Sequence, residues 1–297
     1  MKFREKGGII SLKKYSLFVV IIFILGLFLG IMSGGCAAEE TSRIKVVTTT
    51  SLMEQIAIRV AGDMVDIVNI IPPAQCPGHF DVKPGDVQKL ADADLFLMHG
   101  WQGEMFSEEL IASADNPDLK TVVINAKVGE NTNWMTPPVQ KAAVDLITDA
   151  LSQVDADNSA VYQENAADYK DAIDAKEAEI KTRISGENFA SVNVMCNEQL
   201  TGLVRWMGLN IITTYGRPDS LTPQVVKELV DKARDEGVVL FIDNLQSGAE
   251  AAVQMAEEVG CKRVTFTNFP GGFDGTGAWE KAIDYDIALV LEAISDD

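Results

Sequence analysis

Apolar and polar positions recur along this chain with two different periods, and the alternation of the two divides it. Lys45-Val46-Val47-Thr48-Thr49-Thr50 is a β-branched run that predicts a strand, and Ser51 caps a helix predicted to residue 61. A second strand covers 65–71 and stops at Pro72-Pro73, because proline has no amide to give a ladder. Gly85-Asp86 opens a short helix over 87–93, and further strands follow at 95–98 and 121–124. Strands alternating with helices predict a lobe with a parallel sheet, residues 45–138. Residues 139–186 then read as a helical connector. One helix covers 139–151, and Asp155-Ala156-Asp157-Asn158 caps a second that runs to about residue 184. In that helix Tyr162, Ala166, Tyr169, Ile173, Ile180 and Ile184 recur at steps of three, four or seven and form one apolar stripe. Roughly 25 helical residues span about 38 Å, the size of a lobe, so it reads as a spine between two α/β segments.

Residues 187–297 repeat the first lobe in kind. Strands are predicted at 192–195, 210–214, 238–242 and 263–266. Helices are predicted at 197–207, 222–237 (Thr222 as cap, Pro223 in the first turn), 249–259 (closed by Gly260) and 279–294. The fold class is therefore α/β: two α/β lobes, each with a parallel sheet, joined by one long spine helix, with a ligand cleft between the lobes. Open α/β sheets bind ligands at the carboxyl ends of their strands. That singles out Ser51, residues 76–79 and residues 99–101 in the first lobe, and Cys196, Asp243-Asn244 and Asn268 in the second.

The N-terminus has a different pattern. Lys2, Arg4, Lys6, Lys13 and Lys14 form a basic head, residues 15–32 are almost unbroken apolar, and Ser33-Gly34-Gly35 leads into Cys36. Residues 1–35 look like a bacterial-type lipoprotein signal peptide, with Cys36 the lipidated first residue of the mature chain and 36–44 a short tether. An uncleaved anchor is the alternative, since about eighteen apolar residues just span a bilayer. Either way the domain from residue 45 onward lies outside the cytoplasmic membrane, anchored at the cell surface or periplasmic face.

Composition adds exclusions. The chain has 44 acidic and 25 basic side chains in 297 residues, a net charge of −19, and no basic stripe to neutralise phosphates, so nucleic acid is excluded as a partner. Self-repulsion of this size suits a monomer, and the sign is compatible with a cationic ligand. Glu104, Glu108 and Glu109 read as an acidic lobe tip, ordinarily solvated. Three cysteines remain in the domain, Cys76, Cys196 and Cys261, an odd number that leaves at least one outside any internal disulfide. A Cys76–Cys196 or Cys196–Cys261 bridge stays open.

The candidate chemistry centres on Ile70-Ile71-Pro72-Pro73-Ala74-Gln75-Cys76-Pro77-Gly78-His79-Phe80-Asp81. A strand runs into a rigid proline–glycine loop that carries a cysteine and a histidine three apart, and thiolate and imidazole are the soft metal-binding side chains. At this point the chain resembles the substrate-binding lipoproteins of zinc and manganese ABC transporters. The resemblance covers essentially the whole mature chain. It rests on the opening strand 46–50, on Ile71-Pro72-Pro73 with Pro84-Gly85-Asp86-Val87, and on Ala91-Asp92-Ala93-Asp94-Leu95. Trp134 with Pro137, the spine with Tyr162, Asn165 and Tyr169, Gly208-Leu209, and Ala256-Glu257-Glu258-Val259-Gly260 complete it. It implies two α/β lobes on a rigid helix, a metal held between them, and capture followed by delivery to an ABC permease driven by its ATPase.

The ligands that the resemblance implies are substituted here. The family supplies histidines from the first two loops, histidine or glutamate from the third and aspartate from the fourth. This chain has Cys76-Pro77-Gly78-His79, Asn133, Cys196 and Asn268 at those places. Cys76, His79 and Cys196, with Asn133 and Asn268 as weak oxygen donors, are therefore the candidate metal residues. Their softness points to zinc or another soft transition metal such as copper(I) as the transported ligand, and away from manganese. A second reading has the scaffold bind a metal chelate or small organic molecule, with Trp101, Trp134 and Trp206 as walls. A third, from another class, is an exported thiol enzyme using Cys196, its thiol acidified by the helix that follows. No nucleophile–base motif supports that third reading, so the expectation is a binding protein and not an enzyme.

Overall fold

The structure is a computed structural model and describes residues 43–101 and 104–295. The signal peptide and the lipidation site Cys36 lie outside the described residues. Strands β1 (Ile44–Thr48), β2 (Val65–Asn69), β3 (Leu95–Met98) and β4 (Lys120–Val123) form one sheet in the order β2-β1-β3-β4. Strands β5 (Asn193–Asn197), β6 (Asn210–Tyr215), β7 (Leu240–Asn244) and β8 (Lys262–Phe266) form another in the order β6-β5-β7-β8. Every pairing is parallel. In both sheets the strand order therefore reverses at the same point, beside the first strand, and a crevice opens there at the carboxyl ends.

The spine is the helix Ser159–Ile184, and Tyr162, Ala166, Tyr169, Ile173 and Ile180 of its stripe are buried. Ile184 is only half-buried at the end. The preceding helix, Pro137–Val154, starts two residues before its apolar pattern because two prolines fill its first turn, where no amide partner is needed. One hydrophobic core runs from β1 and the helix Ser51–Ala61 through both connector helices into β5, β7 and the final helix Trp279–Ser295. The indole Nε1 of fully buried Trp279 donates to the Trp134 carbonyl at 3.2 Å. Lys176 and Arg183 of the spine both reach Asp284, each at 2.8 Å.

Several elements differ from the expectation. A helix at Phe106–Ala114 was not anticipated; it buries Ser107, Leu110 and Ala114. The helix expected at 197–207 begins as a 3-10 turn, Glu198–Leu200, because the Asn197 side chain accepts from the Gln199 amide (3.1 Å). The helix expected at 249–259 begins only at Val253 (Val253–Val259), and a separate short helix, Leu245–Gly248, precedes the expected start. Between them the buried Asp243 carboxylate accepts from the Ala252 amide at 3.1 and 3.3 Å. The expected start of the second lobe's last strand moves by one residue, to Lys262.

The core shared by the lobes and spine makes a stability prediction. Ile173→Ala should cost about 2–5 kcal/mol, since Ile173 is fully buried. Val161→Ala, on the exposed side of the same helix, should stay within about 0.5 kcal/mol. Chemical denaturation of both variants checks this; similar losses in the two would mean that the stripe does not carry the lobes.

Candidate functional site

The two crevices face one another across a cavity of about 370 Å³. From the first lobe and the loops that follow it come Leu52, Cys76, Pro77, Gly78, Trp101, Thr132, Asn133 and Trp134; from the second come Gln199, Arg217, Asn244, Gln246, Ser247, Asn268 and Phe269. Among the described residues that line it, Arg217 is the one charged side chain.

Arg217 follows β6 in the second lobe and crosses to the proline loop of the first. Its guanidinium donates to the Cys76 sulfur and lies 3.4 Å from His79 Nε2. The loop is shaped to receive it. Pro77–His79 is a single 3-10 turn capped by Cys76, with the His79 amide on the Cys76 carbonyl at 3.1 Å. At Gly78 an added Cβ would stand 3.2 Å from the guanidinium, so a side chain there would crowd Arg217.

The floor is a seam of amides. Asn133 Nδ2 donates to Asn268 Oδ1 (2.9 Å) and to the Gln199 carbonyl (3.0 Å), and Asn268 Nδ2 donates to the same carbonyl (3.2 Å). Asn133 Oδ1 accepts from the Met135 amide at 2.9 Å. Gln246 Oε1 accepts from the Asn268 amide at 3.0 Å, while its Nε2 donates across the cleft to the Pro73 carbonyl at 2.8 Å. Asn133 and Asn268 therefore meet, but their amide groups join the lobes.

The five expected metal residues do not come together. Cys76 and His79 converge on Arg217, and Asn133 and Asn268 sit in the seam. Cys196 is not in the cavity lining. It lies inside β5, which continues to Asn197, and is fully buried. Burial pushes its thiol up to about 12, against a weaker opposing pull from Thr201 and Arg205. This corrects both the expected Cys76–His79–Cys196 donor set and the acidified Cys196 of the enzyme reading. Gln199, three residues on, is what the third loop presents to the cavity. Among the described residues no group of three or more His, Cys, Asp or Glu side chains is placed to hold a metal ion. Cys76, Cys196 and Cys261 are all free thiols. Asp243, expected at the cleft, is buried in β7 and bound to Tyr215 (2.9 Å) and Arg263 (2.9 Å). Trp101 and Trp134 do line the cavity, whereas Trp206 packs half-buried against the core.

Behind Trp101, in the loop at 99–101 that the strand pattern singles out, is a buried histidine to which the sequence assigns no role. His99 stacks on Trp101 with ring centres 3.6 Å apart and planes within 9°, and Trp134 meets it edge-on at 4.5 Å. His99 Nε2 is 2.7 Å from Thr50 Oγ1, and its Nδ1 has no hydrogen-bond partner among the described residues. Burial holds its pKa well below the usual histidine value. Glu104 is not an exposed tip: it is buried, accepts from Thr49 and from the Gly100 amide (2.8 Å), and burial raises its carboxyl pKa. Gly100 itself is required, with φ at 70° and room for no Cβ, which would fall 2.7 Å from Val123 Cγ1. The available signal was a histidine directly after an apolar strand and before glycine.

Two lobes that share a core and present strand-end loops to a common cavity form a body for holding a ligand. A family model described as zinc-uptake complex component A, periplasmic, matches residues 46–290, and the chain belongs to that family. It is a transporter substrate-binding protein, not an enzyme, and is extracytoplasmic. The manganese ABC transporter substrate-binding lipoprotein PsaA of Streptococcus mitis is 26% identical over 258 residues, 77% of this chain and 81% of the relative. The iron-binding protein YfeA of Yersinia pestis is 22% identical over 267 residues, 84% and 85% of the two chains. Among solved structures, a cadmium-bound periplasmic metal-binding protein from Candidatus Liberibacter asiaticus superposes with a TM-score of 0.73 at 17% identity, covering 84% of this chain and 99% of its own. The substrate-binding protein FpvC of P. aeruginosa, in complex with Ni²⁺, gives 0.74 at 19%, covering 86% and 97%. These likenesses establish the fold.

His99 makes a pH prediction. Its folded pKa is lowered from 6.5, so below about 6.5 the unfolded chain binds a proton that the folded chain does not, and stability falls as pH drops. The raised carboxyl of Glu104 works in the opposite direction, so the comparison must be between variants. The stability gap between the wild type and His99→Gln should narrow from about pH 7.5 to about pH 5.5 in thermal denaturation. Parallel profiles would show that His99 is not held neutral.

Proposed function

We propose that this chain is the extracytoplasmic substrate-binding component of a metal ABC importer that captures its metal already complexed by a small anionic ligand. The observation that carries the reading is Arg217, the one charged side chain among the described residues lining the cavity, set against Cys76 and His79. A bare divalent ion about 4 Å from a guanidinium is repelled by on the order of 8 kcal/mol at an effective dielectric of about 20. No carboxylate among those lining residues offsets it. A metal that arrives with its own carboxylates meets attraction instead. The volume agrees: about 370 Å³ lies in the range of small-molecule sites, about 300–1,000 Å³. Cys76 and His79 are then the soft donors that complete the metal's coordination, zinc or a softer ion suiting them best. Asn133 and Asn268 hold the lobes around the complex. In this reading a lipid on Cys36 keeps the protein at the membrane, where the loaded form passes its cargo to a permease coupled to an ATPase.

Isothermal titration of the full chain in detergent, under reducing conditions, tests the reading with zinc(II), zinc–nitrilotriacetate and nitrilotriacetate alone. The anionic complex should bind at least about tenfold more tightly than the bare ion, a gap of about 1.4 kcal/mol. Arg217→Glu should reverse that order. One equivalent of bare zinc bound as tightly as its complex, with no response to Arg217→Glu, would return the site to a free soft-metal ion.

A further inference from the structure

We propose that the organic part of the cargo carries a planar aromatic ring, which stacks on Trp101 while its carboxylate meets Arg217; the inference rests on the chelate reading above. Trp101 is a large apolar ring left 37% exposed in an otherwise amide-rich cavity. It is also held in place more firmly than its exposure requires. His99 covers it in close parallel contact at 3.6 Å, and His99 is in turn fixed by Thr50 at 2.7 Å and by the edge of Trp134 at 4.5 Å. Gly100, whose positive φ lets the chain turn between His99 and Trp101, is bound to buried Glu104 at 2.8 Å.

The second lobe supplies a matching surface. Phe269 lies within 6° of parallel to Trp101, with ring centres 6.3 Å apart, and both line the cavity. That spacing is at the outer edge of direct aromatic contact, about 4.5–7 Å, so the two rings are aligned without being tightly packed. The exposed part of the Trp101 ring, bordered by the buried Phe269 ring and lined by amides and one guanidinium, matches a flat conjugated acid, although no second ring fits between Trp101 and Phe269. An aliphatic polycarboxylate would satisfy Arg217 but leave the indole face against polar groups. Stacking on a rigid ring adds roughly 0.5–1.5 kcal/mol beyond area burial, and a platform already fixed by His99 loses little freedom on binding.

The test uses two zinc chelators with the same donor set, one nitrogen and two carboxylates. Dipicolinate is planar and aromatic; iminodiacetate is neither. The full chain is titrated with the 1:1 zinc complex of each, which leaves coordination positions open for Cys76 and His79, and followed by tryptophan fluorescence and calorimetry. The dipicolinate complex should bind about tenfold more tightly and quench the fluorescence. Trp101→Ala should remove the preference, Trp101→Phe should keep part of it, and Arg217→Gln should weaken both complexes alike. Circular dichroism confirms that each variant is folded. Equal binding of the two complexes, or a preference that survives Trp101→Ala, would overturn the aromatic inference and leave the chelate reading standing. Binding of neither complex would overturn the chelate reading, and this proposal with it.

Discussion

The lobes share one hydrophobic core, and the rest of the structure follows from that constraint. The apolar stripe of Ser159–Ile184 is sealed against elements of both lobes, and Trp279 reaches across to the Trp134 carbonyl. A close-packed interior transmits displacement and does not absorb it, so the two sheets are held in one relative orientation. Their identical strand orders, β2-β1-β3-β4 and β6-β5-β7-β8, then bring two crevices to the same place. The cavity is a product of this symmetry, and its chemistry was left to the loops.

Those loops present neutral groups to the cavity, and Arg217 is the one charge among the described lining residues. A site for a bare cation needs anionic or imidazole donors that converge without competition. Here the first loop offers Cys76 and His79 to a guanidinium, the second and fourth offer amides to each other, and the third offers Gln199. Arg217 would be an unpaired intruder in a metal-coordinating cleft, and the amide seam would be a poor substitute for ligands if a bare ion were the cargo.

Much of this was legible in the sequence. The spine stripe was read nearly residue for residue because a buried helical face imposes a regular spacing, and Ile184 alone drops to half-burial at the frayed end. The cleft loops were found because strand ends are marked by proline, glycine and amides. Cys196 was misplaced because periodicity does not set a strand's last residue: β5 runs two positions further, to Asn197, and that carries the thiol into the core. Arg217 was invisible for a different reason. It sits in an ordinary Gly216-Arg217-Pro218 turn and acquires meaning only by meeting Cys76, 141 residues earlier in the chain. Glu104 looked like one of a run of surface acids, and only the turn at Gly100 folds it inward.

The amide seam also bears on how this scaffold can evolve. Asparagine codons lie one base from those of aspartate and of histidine, so the ligands that the family resemblance implies at 133 and 268 are each a single mutation away. Each step back breaks something first. Histidine at 133 would lose the paired contacts to the Gln199 carbonyl and to Asn268. Aspartate at 268 would set a carboxylate oxygen against that same carbonyl, where Asn268 Nδ2 now donates at 3.2 Å. An acceptor facing an acceptor in this half-buried seam is unfavourable, and Arg217 would still occupy the first loop. Each single substitution is therefore expected to weaken the seam. The seam therefore ties the identity of these two residues to the joining of the lobes as well as to the cargo.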